Sequence, residues 1–373
     1  MDKTEFMREL RRYQRGSVSR RHFLGVTGLG AAAAVMAAAL PRGAFAQGIG
    51  DRVSMATWPN YDDPDILAAF QSQTGAAVQV NVFGSNEEML AKLQAGGAGW
   101  DLVVATNYTI STYAGAKMIE PLDLSKLPNY DAQAFEARFA GPGTVDGQLY
   151  AIPKLWGTTG MAFDSTKAKA PLDSWKGFFE ITKGDFTGRT IIHDYQLTAI
   201  GNALKSFGYS FNSVDPAELA KAEALLIEVK PHLFAITSDY QPAMRNGDAW
   251  LTMCWTGDAN QLNRDIPEIH YALGKEGGEI WSDFYTIPTS APNREGAYAL
   301  LNYLLDPQVN AKEAMFHGYP VPDARVEALM PEDMRNDPIL HPAADLLSAL
   351  EFGAAVTLTD PNRAEIMARF KAA

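Results

Sequence analysis

The sequence predicts an α/β protein built from two halves of similar size. Three observations lead there. Strand-like and helix-like segments alternate from Arg52 to Ala105, a βαβαβ order that calls for a mostly parallel sheet covered by helices. The alternation pauses near Tyr150-Ala151-Ile152-Pro153 and resumes at Thr190. Hydrophobic residues make up 47% of the 373 and charged residues 20%, enough apolar matter for a sizeable core and too much for a disordered chain.

Residues 1–46 read as a segment apart. They hold eight basic residues (Lys3, Arg8, Arg11, Arg12, Arg15, Arg20, Arg21 and Arg42) against Asp2, Glu5 and Glu9. Phe23 to Leu40 carries no charge, and Ala44-Phe45-Ala46 has the small-x-small form that signal peptidase cuts. The alternative is a membrane anchor, since 18 apolar residues come close to the ~20 that span a bilayer. Ala and Gly dominate the run, however, and give little transfer energy. Ser19-Arg20-Arg21-His22-Phe23-Leu24 resembles the twin-arginine export motif. The expectation is therefore a cleaved signal and a soluble protein of the bacterial periplasm. Cys254 is the sole cysteine, so no internal disulfide forms. Its apolar neighbours mark it as a buried, inert thiol.

The remaining elements follow in order. Arg52 to Trp58 reads as a strand, and Asp65 to Gln73 as a helix with Asp62 and Asp63 at its start and Gly75 beyond its end. Ala77 to Phe83 is β-rich. Asn86 to Gln94 sets Met89, Leu90 and Leu93 at helical spacing. Asp101 to Ala105 is a continuous apolar run, the mark of a strand buried on both faces. In the second half, Thr190 to Ile192 and Ala249 to Cys254 read as strands. Leu197 to Phe207, Pro216 to Val229 and Ala297 to Leu305 read as helices. Ligands of such folds bind where strand C-termini of both halves meet.

Familiar catalytic patterns are missing. There is neither G-x-S-x-G nor G-x-x-x-x-G-K. None of the six His forms H-x-H or H-x-x-x-H, so the sequence supports no metal site and no cofactor. His193-Asp194 are adjacent on a strand and point to opposite faces, which favours a structural His193 over a base with its orienter. Asp62-Asp63 and Glu87-Glu88 suit helix starts better than acid–base chemistry.

A different constellation repeats at strand ends and in loops: Trp58-Pro59-Asn60-Tyr61, Thr106-Asn107-Tyr108, Trp255-Thr256-Gly257-Asp258, Trp281-Ser282-Asp283 and Tyr319-Pro320. Aromatic faces attract cations by about 0.5–2 kcal/mol. A nearby carboxylate adds charge-assisted hydrogen bonds. Such a box suits a small amine stripped of its water, although aromatics in a cleft also stack on sugars.

These residues, with Ser85-Asn86-Glu87-Glu88-Met89-Leu90, Trp156-Gly157-Thr158-Thr159, Lys275-Glu276-Gly277-Gly278 and Gly318-Tyr319-Pro320-Val321-Pro322, carry a resemblance. The chain resembles the periplasmic solute-binding proteins of ABC importers, in particular the spermidine- and putrescine-binding group, over residues 52–373. The resemblance implies a type II clamp of two lobes. Residues 47–153 with about 284–323 would form one lobe, and about 154–283 with 324–373 the other. It also implies a monomer that hands a small amine to an inner-membrane permease, with no reaction catalysed. Its ligand-binding positions fall on Trp58, Tyr61, Thr106, Tyr108, Trp255, Asp258, Trp281, Asp283 and Tyr319. Asn60, Ser85, Tyr195 and Thr198 are further candidates.

The chain also departs from the group. Tyr195 and Thr198 stand at positions where the group has amine-holding acids, and Gly353 falls where it has a glutamine contact. The loss weakens the case for spermidine against a diamine, because each extra cation needs a partner. A quaternary ammonium and a zwitterion such as an amino-sulfonate or amino-phosphonate remain open, with a helix N-terminus for the acid end. A secreted glycosidase using Asp258 and Asp283 is the rival from another class.

The net charge of −12 argues against a nucleic-acid partner. Setting residues 1–46 aside leaves 24 basic against 41 acidic residues, a charge of −17 for the exported part. Most of that excess reads as solvated surface.

Overall fold

The computed structural model describes residues 48–373 apart from 97, 98, 169 and 171. The segment read as an export signal lies outside the described residues. Among those described, no helix is long and apolar enough to cross a membrane.

Local chemistry sets the first elements close to where the sequence places them. Strand β1 (Arg52–Thr57) has five of its six residues buried. Asp63 caps helix α1 (Pro64–Thr74) by accepting from the Asp65 N–H, Pro64 opens it, and Gly75 ends it at φ 86°. Strand β2 (Ala77–Val82) follows. The Ser85 hydroxyl then caps α2 (Asn86–Gln94) through the Glu88 N–H. Strand β3 (Leu102–Thr106) is wholly buried and runs without a loop into α3 (Asn107–Gly115). A two-strand hairpin, β4 (Thr144–Val145) and β5 (Gln148–Leu149), precedes the longest strand, β6 (Ala151–Asp164).

The second half begins with α4 (Trp175–Lys183), β7 (Thr190–Ile192), α5 (Gln196–Lys205), α6 (Pro216–Val229) and β8 (Leu233–Ile236). Strand β9 (Leu251–Trp255) passes directly into α7 (Thr256–Asp265). Next come β10 (Ile269–Ala272) and β11 (Gly278–Thr286), then α8 (Arg294–Leu304), α9 (Pro307–His317), β12 (Leu350–Phe352) and α10 (Pro361–Ala372). Shorter helical turns are left unnumbered.

One sheet runs through both halves in the order β2-β1-β3-β11-β6-β9-β7-β8, with β10 added on β6 and β12 on β11. The flanks are parallel, as the βαβ order requires: β1 pairs β2 and β3, and β7 pairs β8 and β9. The centre is antiparallel, which makes the sheet mixed. Strand β6 pairs β11 from Glu279↔Thr159 to Thr286↔Ala151, with an irregularity between Asp283 and Phe284. The far end of β6 pairs β9 and β10, and the far end of β11 pairs β3. These two long strands carry the chain between the halves, and it crosses once more between Tyr319, in the first core, and Ile366, in the second.

Each flank has its own apolar core. One surrounds β1 and β3 with Met55, Phe70, Val104 and Leu301. The other surrounds β7 and β9 with Phe178, Ile200, Leu226, Met253 and Phe370.

Candidate ligand-binding site

The C-terminal ends of β1, β3 and β9 open on one side, and the middle of β11 passes beneath them. There the chain leaves a cleft of about 630 Å³. All nine residues singled out from the sequence line it: Trp58, Tyr61, Thr106, Tyr108, Trp255, Asp258, Trp281, Asp283 and Tyr319. Asn60 and Tyr195 line it too. Ser85 and Thr198 do not. The Ser85 hydroxyl is occupied in capping α2, and Thr198 stands behind the wall with its hydroxyl on Glu279.

Each wall has a local cause. Past β1 the backbone turns at Asn60, whose φ of 59° suits Asn, and brings Tyr61 back over the sheet. The Tyr61 hydroxyl donates to Asp283 Oδ2 at 2.9 Å. Tyr108 lies in the first turn of α3, not in a loop. The Asn86 amide donates to both Thr106 Oγ1 (3.1 Å) and Tyr108 Oη (2.8 Å), fixing that pair from α2. Asp258 sits in the first turn of α7. Trp255 donates its indole N–H to Tyr195 Oη at 3.2 Å, and its backbone N–H to Tyr240 Oη at 3.0 Å.

Two glycines make room for the aromatic floor. A Cβ on Gly157 would stand 2.6 Å from the Trp281 ring, and one on Gly257 would stand 2.3 Å from the Tyr319 ring. With that space, Tyr319 meets both Tyr61 and Trp281 edge-on at 5.4 Å between centroids. Gly353, the position expected for a glutamine, instead packs beneath the site. A Cβ there would meet Leu197 at 2.9 Å and Tyr108 at 3.0 Å, so no longer side chain fits.

Sequence reasoning missed Glu279. It lines the cleft from β11, two residues before Trp281 and four before Asp283. A period of two would have found it, since residues 279, 281 and 283 of one strand share a face. Reading Trp281-Ser282-Asp283 as a strand end or loop hides that face, since the strand runs from Gly278 to Thr286. Asp194, Asp239, Gln241 and Arg245 also line the cleft unannounced. His193 lies behind it, fully buried and stacked on Tyr195 and Tyr240 at 5.4 Å. Burial pulls its pKa down to about 3, which keeps the ring neutral.

The electrostatics are one-sided. Five carboxylates and a single guanidinium line the cleft among the described residues. That guanidinium, Arg245, is taken up by Asp265 at 2.6 Å and by Gln241. Burial pushes Asp258 up to about 6, against hydrogen bonds from Tyr240 and Gln241. Asp283 is likewise pushed up to about 6 by burial, against hydrogen bonds from Thr106 and Tyr61. Glu279 rises to about 7 for the same reason, against Thr159 and Thr198. All three have lost water, and among the described residues none forms an ion pair; Arg245 acts on Asp258 and Lys154 on Asp283 only as charges at a distance.

Comparison with known proteins agrees with this geometry. Residues 65–342 match the family of bacterial extracellular solute-binding proteins. The chain is 31% identical over 309 residues to a putrescine-binding periplasmic protein of Pseudomonas aeruginosa, covering 79% of this chain and 84% of that one. It is 32% identical over 295 residues to the spermidine/putrescine-binding periplasmic protein of Escherichia coli, covering 78% and 83%. Among solved structures, the substrate-binding protein of a spermidine/putrescine ABC transporter from Streptococcus pneumoniae superposes with a TM-score of 0.71. Its identity is 25%, over 87% of this chain and 99% of that one. The architecture is that of the type II periplasmic binding proteins, and the chain belongs to the bacterial extracellular solute-binding protein family.

Proposed function

We propose that this chain is the exported, periplasmic solute-binding component of an ABC importer, and that its solute is a small linear amine cation. The observation that carries the reading is the cleft itself: buried carboxylates ringed by aromatic rings, with the one lining guanidinium already paired. Ammonium groups would pair with Asp258 and Asp283. Trp58, Tyr61, Trp255, Trp281 and Tyr319 would cover the methylene chain and add cation–π attraction. Thr106 and Tyr108 would supply hydrogen bonds. The names of the relatives from Pseudomonas aeruginosa and Escherichia coli support the same solute class.

The protein would act as a monomer and a clamp. Residues 47–153 with about 284–323 make one lobe, and about 154–283 with 324–373 the other. Two separate apolar clusters support that division, and β6 and β11 would serve as the hinge. The ligand stabilises the closed form by touching both lobes, and the closed form is what a permease would receive. No bond is made or broken. The export signal at residues 1–46 belongs to this reading.

A thermal-shift titration of the amine-stripped protein tests it. At 100 times its dissociation constant a true ligand adds about 2.7 kcal/mol of stability. Putrescine or spermidine is expected to raise the melting temperature, and glucose or taurine to leave it unchanged. A panel in which no amine shifts the melt rejects the reading. Turnover of a chromogenic glycoside would point to the enzyme instead.

A further inference from the structure

Tyr195 and Thr198 stand where acids were expected, and neither carries a charge. The fold brings a carboxylate to the same place from another element. Glu279 comes from β11, 81 residues along the chain from Thr198, and Thr198 Oγ1 donates to its Oε2 at 2.9 Å. Thr159 Oγ1, on the neighbouring β6, donates to the same oxygen at 2.6 Å. Thr198 also shares a hydrogen bond with Tyr195 Oη. Since a hydroxyl has one proton and Thr198 spends its own on Glu279, Tyr195 is the donor in that bond. Tyr195 in turn accepts from the Trp255 indole. The donors thus form a line from Trp255 through Tyr195 and Thr198, all directed at one carboxylate.

That line leaves half of the carboxylate unused. Both hydroxyls fall on Oε2, and among the described residues no hydrogen bond falls on Oε1. Glu279 is 2% exposed, yet it lines the cleft. Its described surroundings hold two hydroxyls and the like charge of Asp283, with no cation. A buried carboxylate of this kind stays costly until a cation reaches it. Four residues of strand separate it from Asp283 on the same face, about 13 Å between their Cα atoms. A diamine with its two ammonium groups at Asp258 and Asp283, as proposed above, leaves Glu279 without a cation.

We infer that Glu279 is a third anionic anchor of the cleft, replacing the acids absent at Tyr195 and Thr198, and that it selects a linear triamine over a diamine. The inference rests on the amine-binding reading above. Its test is calorimetric titration of the amine-stripped protein and of Glu279→Gln, each with spermidine and with putrescine. The wild type is expected to bind spermidine more tightly. The variant is expected to lose at least tenfold in spermidine affinity while its putrescine affinity stays within threefold. Equal losses for both amines, or no loss for either, overturn the assignment, as does a wild type that binds putrescine but not spermidine. A wild type that binds neither overturns the amine reading itself, and this inference with it. Should Glu279→Gln fail to fold, Thr198→Val carries the test. A loss confined to spermidine, about threefold, supports the assignment, and an equal effect on both amines overturns it.

Discussion

Two buried ionic sites lie within this protein, and they are built on opposite terms. Beside the cleft, Lys154 is 2% exposed and carries its own partners. Its Nζ lies 2.9 Å from Asp62 and 3.6 Å from Glu313, and it donates to the Tyr285 hydroxyl at 2.9 Å. Burial works against its charge, but Asp62, Tyr285 and Glu313 together hold its pKa well above the ordinary lysine value. Glu313 is pushed upward by burial, as expected when two acids share one ammonium. The site ties α9, β6, β11 and the start of α1 together. In the cleft the carboxylates of Asp258, Glu279 and Asp283 have the burial without an ion-paired cation, the charges of Arg245 and Lys154 reaching Asp258 and Asp283 only from a distance. A structural ion pair is completed by the chain. A binding site leaves its last partner to be supplied from outside.

The comparison can be broken at its structural end first. Lys154→Met strands two acids in the interior and is expected to destabilise the fold by about 3–5 kcal/mol, read by urea unfolding. Asp283→Asn should do the reverse to the two properties. It removes about 2–5 kcal/mol of amine binding by calorimetry while the ligand-free protein melts no lower than the wild type. A ligand-free Asp283→Asn protein that unfolds as readily as Lys154→Met would erase the distinction between the sites.

Proton linkage sharpens the same contrast. The three cleft carboxylates have folded pKa values above their unfolded ones, so between about pH 4 and 7 the folded state holds the extra protons. From these groups, the ligand-free protein loses stability as pH rises through that window. A bound amine needs them ionised, so amine affinity falls as pH drops below about 7, by up to tenfold per pH unit for each carboxylate that must ionise. Melting curves at pH 5 and 7.5 should therefore show the ligand-free protein less stable at the higher pH, and the stabilisation added by the amine larger there, so that the two effects largely cancel in the saturated protein. Gly157→Ala is a smaller change. Its Cβ would displace the Trp281 ring, and about tenfold of amine affinity, ~1.4 kcal/mol, should go with it. Glu88→Ala, on an exposed i,i+4 pair with Lys92, should alter stability by no more than about 0.5 kcal/mol and binding hardly at all.

Much of this molecule was legible in its sequence because the signals are short in range. Asp63, Ser85, Asp215 and Asn293 each cap a helix through an N–H two or three residues away. The apolar run at β3 needs no partner to be recognised. The aromatic and acidic residues of the cleft stood out by type and by clustering after strands, and all nine meet in one cavity. Helices α3 and α7 were illegible, because Asn107-Tyr108 and Gly257-Asp258 are poor helix signals that a preceding strand overrides.

What tertiary structure alone decided is which side chains face the cleft and which support it. Thr198 turns away because a carboxylate 81 residues along the chain claims its hydroxyl. Gly353 stays small because Tyr108 and Leu197 fill its space from distant elements. Alternation along β11 puts Glu279 on the face of Trp281 and Asp283, but that face meets the cleft only because β11 lies between β3 and β6. Composition and local pattern determined the kind of protein and the chemistry available to it. Long-range strand pairing decided where that chemistry was left without a partner, and a site for a cation is made of such vacancies.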